Sequence, residues 1–87
     1  MAQKDDLLRR LLSRPRDFEL RELETLLISF ECTKSNAGRT SGSAIKFVYV
    51  NGDVKRVFSV HRPHPGNTLK QYILDEAVKF LTDIGAI

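Results

Sequence analysis

The two histidines of the chain, His61 and His64, both lie in the segment Ser59-Val-His-Arg-Pro-His-Pro-Gly-Asn-Thr-Leu69. Imidazole titrates near neutral pH and can take up or deliver a proton there. Arg62 stands between the two histidines and Lys70 follows just after, so cations accompany the proton carriers. Phosphate chemistry or phosphate binding is the sharp reading, since such chemistry needs a base, an acid and a cation to neutralise the phosphate. His61 and His64 are of the right type for base or acid, and Arg62, Arg39 or Lys46 for the cation. Pro63 and Pro65 stiffen the segment. Thr68 is placed to cap the helix that follows, with Gln71 as its capping-box partner. A helix N-terminus next to the histidines would favour an anion. A solvent-exposed polar turn accounts for the same residues equally well.

Stepping outwards, the elements that would hold this segment can be read from periodicity. Leu7, Leu8, Leu11 and Leu12 recur at helical spacing in a first helix over 4–13, with Asp5 and Asp6 in its first turn and Pro15 after it. Asp17 is a natural N-cap for a second helix over 18–30, whose Leu20, Leu23, Leu27 and Phe30 form a core stripe. Residues 31–34 suit a short strand. The run Ser35-Asn-Ala-Gly-Arg-Thr-Ser-Gly-Ser43 is a loop of small turn residues, without the Gly-Lys-Ser/Thr ending of a P-loop. Ala44–Val50 and Val54–Val60 are strands around Asn51-Gly52, the strongest short hairpin signal. With Asn51-Gly52 as the two turn residues, Phe47 would face Arg56 and Ile45 would face Phe58. Both faces are mixed, so the pattern does not say which is buried. A last helix over 69–84 carries Leu69, Ile73, Ala77, Phe80 and Ile84, an Asp75–Lys79 pair at i,i+4 spacing, and a stop at Gly85. Tyr72 reads as core. The sum is an α+β domain, αα-βββ-α, with helices on one face of a three-stranded antiparallel sheet.

Composition limits the function classes. The 87 residues make one domain, and 41% hydrophobic content suits a packed core. No apolar run approaches the roughly 20 residues of a membrane helix, and the first residues lack the pattern of a signal peptide. The lone Cys32 cannot form an internal disulfide, which fits a reducing cytoplasm and a buried, inert thiol. Two histidines without a Cys or carboxylate cluster fall short of the usual metal-ligand sets, and no cofactor motif is present. The net charge is +3, and the excess sits in the middle: Lys34, Arg39, Lys46, Lys55, Arg56 and Arg62 face one acid, Asp53, across 34–62. Such a basic stretch suits an anionic partner. Ordinary solvation of strand faces competes with that reading.

Several of these features together resemble the HicA-type toxins, the mRNA-cleaving components (mRNA interferases) of bacterial toxin–antitoxin pairs. The matching residues are Gly42-Ser43 opening a strand, the hairpin after it, Arg62-Pro-His64-Pro-Gly-Asn67, and a final helix ending in Ile-Gly-x-Ile. The resemblance covers roughly residues 18–87, which divides the single domain into an N-terminal helical extension, 1–16, and a core, 17–87. It implies a double-stranded-RNA-binding-like fold, metal-independent endoribonuclease activity, mRNA as substrate and a HicB-like antitoxin as partner. The family's catalytic histidine follows Gly-Ser, and here that position is Ala44, which can neither take nor give a proton. His64 matches a histidine of the later motif that is not the family's catalytic one. RNA contacts are expected from Arg39, Ser43, Lys46, Lys55, Arg56, Arg62 and Lys70.

The residues therefore leave an RNA-binding toxin relative that is feeble or inactive as a nuclease, an active ribonuclease with its chemistry displaced onto His64 and His61, and a non-catalytic module that binds RNA or only an antitoxin.

Overall fold

Leucines at helical spacing and a central run of β-branched and aromatic residues divide the chain into two structural types. The computed structural model describes residues 2–35, 44–63, 66 and 68–87. Its elements are α1 (Ala2–Leu12), α2 (Leu20–Ser29), β1 (Thr33–Ser35), β2 (Ala44–Asn51), β3 (Val54–His61) and α3 (Gln71–Asp83). The strands form one antiparallel sheet in the order β1-β2-β3. The architecture is the expected αα-βββ-α. From α2 onward, the order α-β-β-β-α is compatible with a double-stranded-RNA-binding-like fold.

The hairpin turns one residue later than the Asn51-Gly52 signal suggests. Asn51 pairs with Val54, so Gly52 and Asp53 are the turn residues. Gly52 has φ 61, the left-handed conformation that primed hairpin turns require and that glycine adopts without a Cβ clash. The register is consequently shifted by two residues from the expected one. Phe47 faces Phe58 rather than Arg56, and Ile45 faces Val60 rather than Phe58. A two-residue shift preserves the faces, because side chains alternate with period two. The buried face is now clear: Ile45, Phe47, Phe58 and Val60 lie under the helices.

Packing explains why that face wins. Leu23, Leu26 and Leu27 of α2, Leu74, Ala77, Phe80 and Leu81 of α3, and Leu7 and Leu11 of α1 all join one buried cluster with the four strand residues. Phe58 and Phe80 meet as tilted rings with centroids 5.4 Å apart, a favoured aromatic geometry. Phe18, fully buried in the α1–α2 connection, closes the cluster. The first helix is thus part of the core. Cys32 is buried as expected, and burial pushes its thiol up from the ordinary value, away from the reactive thiolate.

Helix ends depart from the local signals. Asp17 does not cap α2. Glu19 is the N-cap, and the Glu22 carboxylate accepts from its backbone N–H at 2.9 Å. Asp17 instead lies 3.4 Å from the Arg10 guanidinium. Thr68 does not cap α3 either. Lys70 is the N-cap, without a side-chain cap bond, and Gln71 donates its amide to the Pro15 carbonyl at 3.1 Å. Asp75 pairs with Arg14 at 2.6 Å rather than with Lys79. In each case a residue distant in sequence outcompetes the local partner. At the far end of α3, Gly85 behaves as its position suggests. With φ 79, it donates to Thr82, while Ala86 donates to Leu81, the paired bonds of a Schellman motif.

The same motif ends α2, where Glu31 donates to Ile28 and Cys32 to Leu27. Here the left-handed residue is Glu31, exposed and at φ 70. A Cβ in that conformation costs about 1–2 kcal/mol, partly offset by the extra freedom glycine has when unfolded. We predict that Glu31→Gly raises stability by roughly 0.5–1 kcal/mol, seen as a few degrees in a thermal melt. A lowered melting temperature would mean that the Glu31 side chain contributes something the backbone argument omits.

Candidate nucleic-acid interface

The register that buries Phe47 and Phe58 turns their neighbours to the other side of the sheet. Lys46, Val48, Val50, Lys55, Val57, Ser59 and His61 alternate with the core residues, and among the described residues no helix covers them. Lys46 pairs with Ser59 and Val50 with Lys55, so each lysine lies beside a small or apolar neighbour. Val50 and Val57 are 61% and 48% exposed, which makes this face a mixed apolar and cationic surface. Arg56 belongs to the alternation of the core face but is exposed near the hairpin tip.

At the end of β3 this face runs into a groove of about 530 Å³. Ser59, His61 and Arg62 line one side, and Lys70, Tyr72 and Glu76 the other. The groove is held open by distant contacts. Leu69, nearly fully buried, donates its N–H to the Phe18 carbonyl at 2.8 Å, and Thr68 bridges to Glu19. Gln71 and Asp75 bind Pro15 and Arg14 from the first turns of α3. The α1–α2 connection therefore clamps the start of α3 at a set distance from β3.

Charges divide by location. Four arginines of the helical layer are matched: Arg10 with Glu22 and Asp17, Arg14 with Asp75, Arg9 with Asp6, Arg21 with Glu19. Lys34, counted above with the basic middle, points to the helical face and holds Glu24 at 2.7 Å. In contrast, Lys46, Lys55, Arg56, Arg62 and Lys70 have no described carboxylate within 4.0 Å, as is also true of Lys4, Arg16 and Lys79 on the helical side. A second hollow is lined by Glu19, Arg21, Glu24, Lys34 and Arg62, of which Arg21 pairs with Glu19 and Lys34 with Glu24.

Of the expected site residues, Lys46, Lys55, Arg56, His61, Arg62 and Lys70 are described, and all are exposed. His61, Arg62 and Lys70 meet at the groove, Lys46 and Lys55 share the open sheet face, and Arg56 stands apart from both. Arg39, Ser43 and His64 lie outside the described residues. Ala44 opens β2, and its register partner across the sheet is His61. Tyr72, expected in the core, is 58% exposed in the groove instead. Glu76 beside it was not anticipated either. The signal was present: both share the polar side of α3 with Lys79, off the Leu69–Ile73–Ala77 stripe.

This arrangement can bind phosphates on unpaired cations and present one imidazole, His61, to a bound ligand. It holds no group of three or more potential metal ligands among the described residues. No described helix is long and apolar enough to cross a membrane. No family model, curated protein or solved structure matches the chain.

Because these cations lack partners, they contribute little to folding. We predict that Lys46→Gln, Lys55→Gln, Arg62→Gln and Lys70→Gln each change stability by less than about 0.5 kcal/mol, measured by thermal or denaturant unfolding. A loss well beyond that would assign the residue to the scaffold rather than to a ligand.

Proposed function

We propose that the chain is a HicA-like toxin component of a bacterial, cytoplasmic toxin–antitoxin system, one that binds RNA and cleaves it feebly or not at all. The observation that carries the reading is the segregation of cations. Arg9, Arg10, Arg14, Arg21 and Lys34 are matched by carboxylates, whereas Lys46 and Lys55 on the open sheet face and Arg62 and Lys70 at the groove have no described carboxylate within 4.0 Å. Lysines and an arginine without described partners on the open sheet face and the groove it runs into suit the phosphates of a polynucleotide. The double-stranded-RNA-binding-like order of elements agrees, since that fold reads duplex RNA by shape and backbone contacts. The expected protein partner is an acidic, HicB-like antitoxin covering the same cations, with electrostatic steering assisting its approach.

Binding should therefore weaken linearly in log–log form as salt rises, by about 0.7 in slope for each phosphate neutralised on a single strand. Lys46→Ala and Lys55→Ala should each flatten that slope by about one such unit. Filter binding or fluorescence anisotropy over a salt series measures it. Absence of binding at low salt would overturn the reading.

The catalytic deficit follows from residue 44. Attack by a 2′-hydroxyl needs a base, and alanine supplies none. His61, the register partner of Ala44, lines the groove with Arg62 and Lys70, and an imidazole there is of the type to act as acid or base on a phosphate. That placement supports the second reading, in which His61, with His64, carries a displaced chemistry. General-base catalysis contributes roughly 10² to 10⁴-fold. We predict that Ala44→His raises RNA cleavage by about that factor. If the displaced site is the active one, the parent chain already cleaves, His61→Ala or His64→Ala abolishes it, and Ala44→His adds little. Inert behaviour of all forms at matched folding leaves RNA or antitoxin binding as the function.

A further inference from the structure

Phosphate binding uses Arg62 and Lys70 but not the rest of the groove. Tyr72 exposes 58% of its surface there, and Glu76 follows it by one helical turn. Residues at i and i+4 are neighbours on a helix surface, about 5–6 Å apart at Cβ. An aromatic face, a carboxylate beside it, Lys70 at the start of the same helix and Arg62 opposite are thus gathered in about 530 Å³.

We propose that this groove is a subsite for one unpaired nucleotide of RNA, with the base stacked on Tyr72, its edge against Glu76, and its phosphate on Arg62 and Lys70. The inference rests on the RNA-binding reading above and names the element of RNA that this part of the surface takes.

Three features argue for it. The tyrosine is large, flat and exposed, and bases stack on aromatic side chains in single-stranded recognition. Leu69 and Ile73 add an apolar floor, which suits a base and not a second phosphate. The charges give the groove polarity. Arg62 and Lys70 attract the phosphate, while Glu76 repels it and accepts hydrogen bonds from donors on a base edge. Glu76 pairs with no described cation within 4.0 Å, so its oxygens remain available. Guanine offers adjacent N1–H and N2–H donors to a carboxylate. Adenine and cytosine present an amino group beside an acceptor nitrogen, and uracil presents an N–H between two acceptors. The subsite should therefore prefer guanine. A duplex cannot supply the nucleotide, because its bases are stacked on one another.

The test is anisotropy titration of labelled pentauridine-based oligonucleotides with G, A, C or U at the centre, and of a blunt RNA duplex, against the full chain. Tyr72→Ala should weaken the G-centred strand by about 5- to 150-fold and leave the duplex unchanged. Tyr72→Phe should retain binding. Glu76→Gln should erase a guanine preference of about fivefold or more with little effect on the other strands. All variants alter exposed positions, and unchanged thermal melts would establish that they fold. If Tyr72→Ala leaves the single strands unaffected while Lys46→Ala weakens them, the subsite is refuted and the RNA-binding reading stands. If no RNA binds the parent chain at low salt, both fail. Binding of an acidic peptide instead, sensitive to Tyr72→Ala, would assign the groove to a protein and also overturn the proposal.

Discussion

The pairing of β2 with β3 in a single register is the constraint on which the other features depend. It places Phe47 opposite Phe58 and Ile45 opposite Val60, and so assembles the apolar patch that shares one core cluster with the helices' buried leucines. A slip of β3 by one residue would turn Ser59 and His61 into that core, where unpaired polar groups are costly. A slip by two would keep the faces but replace the Phe47–Phe58 pair with Phe47–Arg56. The turn at Gly52-Asp53 and the packing of Phe58 on Phe80 select the observed pairing together.

The same register creates the candidate site. Every residue buried towards the helices sends its neighbour to the open face. Lys46, Lys55, Ser59 and His61 are therefore collected on one side by strand geometry alone. The groove adds a second source of residues, because the clamped start of α3 brings Lys70, Tyr72 and Glu76 alongside the end of β3. Function here would draw on a sheet face and a helix flank that are remote in their local signals and adjacent in space.

Electrostatics divide the molecule in a complementary way. Acids concentrated on the helices are used to pin elements together. Arg14 with Asp75 joins the α1–α2 connection to α3, Arg10 with Glu22 joins α1 to α2, and Lys34 with Glu24 joins β1 to α2. Exposed ion pairs of this kind are worth little individually, so their role is placement more than stability. What they remove from the surface matters as well. With Glu19, Glu22, Glu24 and Asp75 engaged in ion pairs, Lys46, Lys55, Arg62 and Lys70 are left to display positive charge on the hairpin and groove.

The element order, the α+β class and most core residues were legible in the sequence, because helical and strand periodicities report which side of each element is apolar. Gly85 was legible for a similarly local reason: its left-handed backbone is what ends the helix. The caps of α2 and α3 were misread, since Asp17 is drawn to Arg10, Gln71 to Pro15 and Asp75 to Arg14, partners invisible at short range. The buried face of the hairpin was undecided for the same cause. Ile45 and Phe47 alternate with Lys46 and Val48, and only helices packed from one side break that near-symmetry. Tyr72 was assigned to the core by its residue type, although its spacing placed it among polar neighbours. The sequence by itself determined the elements and the residue types available for chemistry. Tertiary structure alone decided which of them meet, because register, clamping contacts and ion pairs join residues across gaps that local propensity does not span.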